Sequence, residues 1–368
     1  MELLSLLNDP ITNVPIHYNN EGFRNAIASK LTDFKTLVDK SEMISSYPDP
    51  DLNYLDVSEY KKKIGVLIKG LLKTIDNFYK GKPAHAYITF RNTMKAINIT
   101  EYLDKNSRLQ SGNNLYRIRT ANGNYPLSKD ELFHIPFEKR GIVKSQRFSI
   151  PGLPSLYTAN SIYVAWEEMR RPNVDSIQAI RLVNQRDLRL LDLTTDIYNS
   201  NLENNKLRTD ANTSLYKVLT WPLVACCSIK VKNSEDTFKP EYIIPQLLLQ
   251  WVSENLDGIM YSSTHIDLNK VKHIGAFHNV VLPVKTFNLD SGYCGHLKTL
   301  FKGTDVLPMQ LRQFATYNDR FNHQASIRTD VNQNVSELAL IEGTSQYYSQ
   351  TLFGILEHGL NGLEIHDL

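Results

Sequence analysis

The sequence predicts an α+β protein with a helical N-terminal region, a sheet-bearing middle and a C-terminal helical extension. Three observations carry this. Up to about residue 104, apolar residues recur at three- and four-residue spacing, the period of a helix with one buried face. After Ser107 short alternating or wholly apolar runs take over, bounded by Gly, Pro and Asn, as strands are. Helical periodicity then returns between and after those runs. The 368 residues leave room for two domains, or one domain with large additions. The divisions expected are 1–108, 109–287 and 288–368.

Taken in order, residues 1–19 read as an irregular lead-in. Phe23, Ile27, Leu31, Phe34, Leu37 and Val38 then trace one helix face. Pro48 and Pro50 punctuate a loop over 45–53. A second helix over about 57–80 is predicted by Ile64, Leu67, Leu71, Leu72, Ile75 and Phe78. Pro83 suits the first turn of a third, through Tyr87, Phe90 and Met94. Lys61-Lys62-Lys63 make the second helix basic. Glu59 and Asp76 are mixed with them, so the reading preferred is an ordinary solvated face.

Leu115-Tyr116-Arg117-Ile118-Arg119 alternates as a strand. Residues 121–125 read as a turn, and Pro136 and Gly141 argue against a long helix over 133–144. A short strand ending at Tyr157 and an amphipathic helix carrying Glu167 and Glu168 follow. Strands are predicted over 177–183, 188–193, 258–263 and 278–284. Helices are predicted over 215–229, which contains Pro222, and 242–254, which Pro245 opens. Residues 200–212 and 311–333 are polar, and 336–360 have helical character through Leu338, Leu340, Tyr347, Leu352, Ile355 and Leu356.

The bulk numbers exclude more than they assign. Hydrophobic content of 42%, charged content of 22% and a formal net charge of +2 are those of an ordinary folded chain, and give no footprint for nucleic acid. The apolar start lacks a basic n-region and breaks at Pro10, so no signal peptide is read. No apolar run is long enough for a membrane. Cys226 and Cys227 are adjacent and Cys294 stands alone, which is no disulfide framework. A reducing cytoplasm is the simplest compartment.

Several residues can do chemistry. Arg147 sits where an extended lead meets the turn Ile150-Pro151-Gly152-Leu153-Pro154, and its planar fork suits phosphate oxygens. Tyr157 can stack on a base, although a strand tyrosine is more often core. Asn160 or Ser161 can cap the helix that follows. Ala165 and Glu168, three apart, share a helix face, which is taken as the core side. Glu167, about 100° away, is expected at solvent. A carboxylate near a core has a purpose, an ion pair or catalysis.

No one of these is specific, but their order is. Arg117 with Arg119 comes first, then Gln146-Arg147-Phe148-Ser149-Ile150-Pro151-Gly152. Leu156-Tyr157-Thr158-Ala159 follows, its tyrosine ten residues after Arg147, then Ala165 to Glu168. Gln246 and the run Asp257 to Ser263 close the series. Over roughly residues 110–285 this resembles the RES domain, a family named for its arginine, glutamate and serine. The chain departs from it at Ser145-Gln146-Arg147-Phe148-Ser149, where the family carries Gly-Gly-Arg-Trp/Phe-Asn.

The resemblance implies an ADP-ribosyltransferase-like mixed sheet and a toxin-like enzyme that destroys NAD with water or inorganic phosphate. It implies that Arg117 and Arg147 hold the pyrophosphate, with Arg119 beside them as a substrate-binding residue, and that Tyr157 stacks near the nicotinamide ribose. By the same resemblance Glu168 would act at the anomeric carbon, and Ser263, with Tyr261 beside it as a substrate-binding residue, would hydrogen-bond substrate or orient the glutamate. NAD is then substrate rather than cofactor, and a cognate antitoxin or immunity protein is the implied partner. A homo-oligomer stays open.

Other chemistries are less supported. The ten histidines contain no HExxH and the cysteines no CxxC. Cys294-Gly295-His296, His273 and His278 form no convincing four-ligand set, so no metal is expected. There is no GxxxxGK[ST] and no GxGxxG. Two alternatives keep the same pocket: an ADP-ribosyltransferase acting on a macromolecule, and a non-catalytic nucleotide-binding module.

Overall fold

The computed structural model describes residues 1–18, 21–45, 55–100, 108–121, 125–198, 211–266, 271–272, 277–285, 292–310, 337–341 and 344–368. Most of the loops expected over 45–53 and 200–212, the whole polar stretch 311–333, and His273 lie outside these residues.

The fold is α+β. Its helices are α1 (Phe23–Lys40), α2 (Val57–Tyr79), α3 (Pro83–Ala96), α4 (Ile162–Glu168), α5 (Ala211–Cys227), α6 (Ile243–Asn255), α7 (Gly295–Leu300) and α8 (Leu352–Asn361). The strands begin with β1 (Arg108–Leu109), β2 (Asn114–Thr120), β3 (Ser155–Ala159), β4 (Ile177–Asn184), β5 (Leu188–Leu193) and β6 (Gly258–Tyr261). They continue with β7 (Val271–Lys272), β8 (Asn279–Pro283), β9 (Phe301–Gly303), β10 (Leu307–Pro308), β11 (Glu337–Ile341), β12 (Thr344–Tyr347) and β13 (His366–Asp367). No described helix is long and apolar enough to cross a membrane.

The chain packs as two compact units. One comprises Met1–Ser107, Gln146–Ser149 and Leu193–Glu254, and the other Arg108–Ser145, Ile150–Asp192 and Asn255–Leu368.

The first unit is helical. The stripe read on α1 is buried at Phe23, Ile27, Leu31, Phe34 and Val38, and that on α2 at Ile64, Leu67, Leu71 and Ile75. Each such side chain stabilises by about 1.5–3 kcal/mol. α2 approaches α3 closely at Gly70, where a Cβ would lie 2.1 Å from Thr93 Oγ1. Phe34 packs on Trp221 of α5 with ring centroids 4.1 Å apart, and Trp221 Nε1 donates to the Thr12 carbonyl at 3.0 Å. That last bond ties the irregular lead-in to the helical core. Residues 1–18 form two short 3₁₀ turns with Leu3, Leu6, Leu7 and Val14 buried. On the basic face of α2, Lys63 pairs with Glu59 at 2.5 Å and Lys61 Nζ donates to the Asp39 carbonyl.

The second unit holds a ten-stranded sheet in the order β1-β5-β6-β8-β3-β2-β4-β9-β13, with β10 also on β4. β2 pairs antiparallel with β4 along its whole length, from Asn114↔Val183 to Thr120↔Ile177. β3 pairs antiparallel with β8 at five positions. β2 and β3, in contrast, meet at one register pair, Tyr116↔Ala159. The sheet is therefore two well-zipped halves joined by a short seam. One face is covered by a core that includes Leu115, Leu156, Ile180, Leu282, Phe133 and Phe301. On the other face the Tyr116 hydroxyl donates to Asn361 of α8 at 2.8 Å, and Phe353 of α8 packs on Tyr163 and Trp166 of α4.

The helical character expected over 336–360 holds only for its last part. Leu338 and Tyr347 lie on β11 and β12, which form a separate three-stranded sheet with β7. β11 and β12 pair with each other as neighbours in the chain, and β7, far off in sequence, adds to β11, so strand pairing overrides the local helical pattern.

Candidate active site

β3 leads directly into α4 through Asn160 and Ser161. Asn160 is locked to the residue before β8: its N–H donates to the His278 carbonyl, and its Oδ1 accepts from His278 N–H at 2.9 Å. Ser161 caps the helix, its Oγ accepting from Val164 N–H at 3.2 Å. α4 is only seven residues long, and Glu168 is its last residue. The turn after it closes with Arg170 N–H on Glu167 O and Arg171 N–H on Trp166 O, the Schellman pattern. Arg170 and Arg171 both take the left-handed conformation, with φ of 61° and 55°.

The expected orientation of the glutamate pair is corrected here. Glu167 is 2% exposed, and its carboxylate is held by Arg171 at 2.9 and 3.0 Å. Ile162, Tyr163 and Val164 are buried with it, whereas Ala165, taken as the core side, is half-buried. Glu168 is also half-buried, and its Oε1 accepts from Asn279 Nδ2 at 2.9 Å. Asn279, the first residue of β8, is itself 3% exposed.

Register gathers the neighbours. Tyr157 pairs with Val281, Ala159 with Asn279, and Asn279 with Tyr261. Directly opposed residues share a face and alternate residues return to it. Tyr157, Asn279 and Tyr261 therefore stand on one face of β3-β8-β6, the face to which Asn279 ties Glu168. Gly258 permits this packing, since a Cβ there would lie 2.5 Å from the Val281 carbonyl oxygen. Ser263, two residues past β6, is buried, and its Oγ accepts from His265 N–H at 3.1 Å.

Arg117 and Arg119 leave β2 on the opposite face, the one Leu115 shares. Arg117 turns into the seam, where its Nη1 donates to the Tyr157 carbonyl at 2.7 Å. Its Nε is buried without a hydrogen-bond partner, and among the described residues it has no carboxylate counter-ion. Burial, with Arg119 beside it, lowers its pKa to about 10, which still leaves it cationic at neutral pH. Nearby His134 is neutral. Burial lowers its pKa to about 4, its Nδ1 faces the Ile135 carbonyl, and its Nε2 accepts from Cys294 N–H. Arg117 and Arg119 place two cations side by side here, with Glu131 close enough to Arg119 to feel its charge.

Arg147 belongs to the helical unit. Its Nη1 donates to the Cys227 carbonyl at 2.9 Å, and its guanidinium lies 5.4 Å from the centre of the Tyr242 ring. Gln246 of α6 donates to the Gln146 carbonyl in the same unit.

Sequence reading did not find three residues here. Asn279 is a polar residue opening an otherwise apolar strand. Glu357 sits on the apolar stripe of Phe353, Leu356 and Leu360, and Tyr348 lies just before that helix. For Asn279 and Glu357 the signal was a polar group where the period called for an apolar one.

This arrangement defines a class: an α+β domain built around a splayed sheet, with a seam arginine that has no carboxylate partner among the described residues and a helix-borne glutamate. Residues 114–287 match the RES domain family. The chain is also 35% identical over 274 residues to the Bacillus subtilis (strain 168) protein named Putative toxin YopC. The matched stretch covers 70% of this chain and 61% of that relative. No solved structure matches the chain.

Proposed function

We propose that this chain is a toxin-like enzyme that degrades NAD by breaking the nicotinamide N-glycosidic bond, with water or inorganic phosphate as acceptor. The observation that carries the reading is Glu168, fixed by Asn279 on the sheet face that Tyr157 and Tyr261 share, within the residues that match the RES domain family. Cleavage gives the ribose oxocarbenium character, and a pre-set carboxylate stabilises that charge without reorganising. Asn279 supports this by holding one carboxylate oxygen, leaving the other to face the sugar. Nicotinamide leaves as a neutral amide, so no strong general acid is needed. The pyrophosphate role of Arg117, which leaves β2 on the face opposite Glu168 and donates to the Tyr157 carbonyl, rests on its motif and its positive charge. Arg119 adds to the local positive charge, and Ser263 and Tyr261 are the proposed further contacts. The pyrophosphate role of Arg147 rests on its motif alone.

The test compares NAD consumption by the wild type and by Glu168→Ala, with products separated by chromatography in the presence and absence of phosphate. Loss of at least about 100-fold in the variant is expected, the scale of removing one pre-set electrostatic group. ADP-ribose or its 1-phosphate would name the acceptor, and label left on a macromolecule would mark a transferase instead. A folded Glu168→Ala protein that consumes NAD at the wild-type rate would sink the reading.

A further inference from the structure

The RES match ends at residue 287, yet the helix that carries Glu168 is held at its other end by residues far beyond it. An α-helix leaves its first N–H groups without intrahelical partners. In α4 the first three all find side chains. Ile162 N–H donates to Glu357 Oε1 at 2.6 Å, Tyr163 N–H to the Tyr348 hydroxyl at 3.4 Å, and Val164 N–H to Ser161 Oγ at 3.2 Å. Only the last partner is local. The Tyr348 hydroxyl in turn donates to Glu357 Oε1, and burial and this carboxylate raise the tyrosine pKa, which keeps it a donor.

Glu357 is fully buried. An isolated carboxylate in such a place is costly unless hydrogen bonds compensate it, and here the donors include the backbone of α4 and the Tyr348 hydroxyl. A negative group at a helix N-terminus also opposes the helix dipole favourably. The need is acute because α4 is two turns long, too short to hold itself by propagation alone. The same long-range partners pack its sides: Tyr163 lies on Phe353 and Phe277, Trp166 on Phe353, and Phe277 on Tyr348.

We infer that Glu357, with Tyr348, is a positioning residue for Glu168. Through it residues 348–361 form a working part of the catalytic domain rather than an appendage. Glu357 touches no reacting atom. It fixes where α4 starts, and so where the carboxylate at its end stands against Asn279 and the Tyr157 face. This rests on the NAD-degrading reading for its kinetic consequence, but its mechanical content does not.

The experiment uses the full chain and four proteins: wild type, Glu357→Gln, Glu357→Leu and, as a control for lost packing on the same helix, Leu360→Ala. Glutamine keeps an oxygen that accepts both Ile162 N–H and the Tyr348 hydroxyl, whereas leucine fills the space and accepts nothing. Expected is a kcat for NAD loss about 10- to 100-fold lower in Glu357→Leu, with KM moved much less, as a displaced catalytic group predicts. Glu357→Gln retains most of kcat. Leu360→Ala lowers the thermal midpoint without lowering kcat at a temperature where it is folded.

Amide hydrogen exchange over residues 162–168 supplies a readout independent of turnover. It is slow in wild type and Glu357→Gln and fast in Glu357→Leu, while β2 and β4 stay protected in all. A Glu357→Leu protein with wild-type kcat or with protected α4 amides overturns the inference. So does a Leu360→Ala protein whose kcat falls as far as that of Glu357→Leu. If the wild type consumes no NAD while α4 exchange responds as expected, the functional reading fails and the positioning role stands.

Discussion

Asp257, at the β5–β6 end of the sheet, is buried, and Arg117, at the β2–β3 seam, is half-buried with its Nε enclosed, and the two charged groups are treated in opposite ways. Burial pushes the Asp257 carboxyl up, but the Arg186 guanidinium at 2.9 and 3.2 Å and the Arg189 N–H at 2.9 Å more than reverse this and lower its pKa. Lys285 adds a cation at 3.7 Å. Every partner a carboxylate needs is supplied by the protein. Arg117 has one carbonyl and an orphaned Nε, with another arginine for company. A partly enclosed charge left so poorly compensated costs stability. Folded proteins keep such groups where an outside ligand completes them, which is the difference between a structural ion pair and a binding group.

The largest effect expected on this contrast is at Asp257. Asp257→Ala leaves the Arg189 N–H and the Arg186 guanidinium without their acceptor. A loss of about 2–4 kcal/mol in urea unfolding is expected, below the full cost of breaking a buried pair because Arg186 is half exposed. The pH dependence has a definite sign. A carboxyl whose folded pKa is depressed contributes stability above its unfolded value, about 3.9, and loses it as pH falls through the folded one. The acid limb of the wild-type stability curve is therefore steeper than that of Asp257→Ala. Equal acid limbs would show that Asp257 is not the buried, compensated charge described.

Arg117→Met should behave differently. Removing the uncompensated cation offsets the lost bond to the Tyr157 carbonyl, so stability should stay within about 1 kcal/mol of wild type. KM for NAD should rise about 10- to 100-fold, the scale of a lost charge-assisted hydrogen bond. Inorganic pyrophosphate should raise the thermal midpoint of the wild type and not of the variant. If Arg117→Met unfolds as readily as Asp257→Ala, the two charges are alike and the contrast fails.

How much of this was legible in the sequence follows from how local each cause is. The stripes of α1 and α2 depend on a period within one segment, and they were readable. So were β2, β4, β5 and β8, and the RES order of Arg117, Tyr157 and Glu168. The facing of Glu167 was not. On a two-turn helix either stripe can be the buried one, and here Arg171 clamps Glu167 from outside the helix, beyond any wheel argument. The strands at Leu338 and Tyr347 were missed because β11 takes its partners from residues 271–272 as well as from β12. Asn279 and Glu357 act on α4 from more than a hundred residues away, and no window of sequence contains both members of such a pair.

The smallest effect sharpens the comparison from the backbone side. Arg170 occupies the left-handed position that closes α4, a place where glycine has no Cβ penalty and an arginine costs about 1–2 kcal/mol. It lies two residues from Glu168, so the strain, like the bare charge of Arg117, sits beside the candidate site. Arg170→Gly keeps both closing bonds, Arg170 N–H to Glu167 O and Arg171 N–H to Trp166 O, because both are backbone bonds. Glycine also makes the unfolded chain freer, which takes back part of the gain. A net stabilisation of about 0.5–1 kcal/mol is expected, with NAD turnover unchanged, since neither the carboxylate nor its Asn279 partner moves. Chemical unfolding and turnover measured on one preparation separate the cases. Stabilisation with a fallen kcat would mean that the arginine side chain, and not the turn geometry, matters to Glu168. No stabilisation would mean that the left-handed turn carries no strain for glycine to relieve, and that Arg117 alone marks this site as costly to the fold.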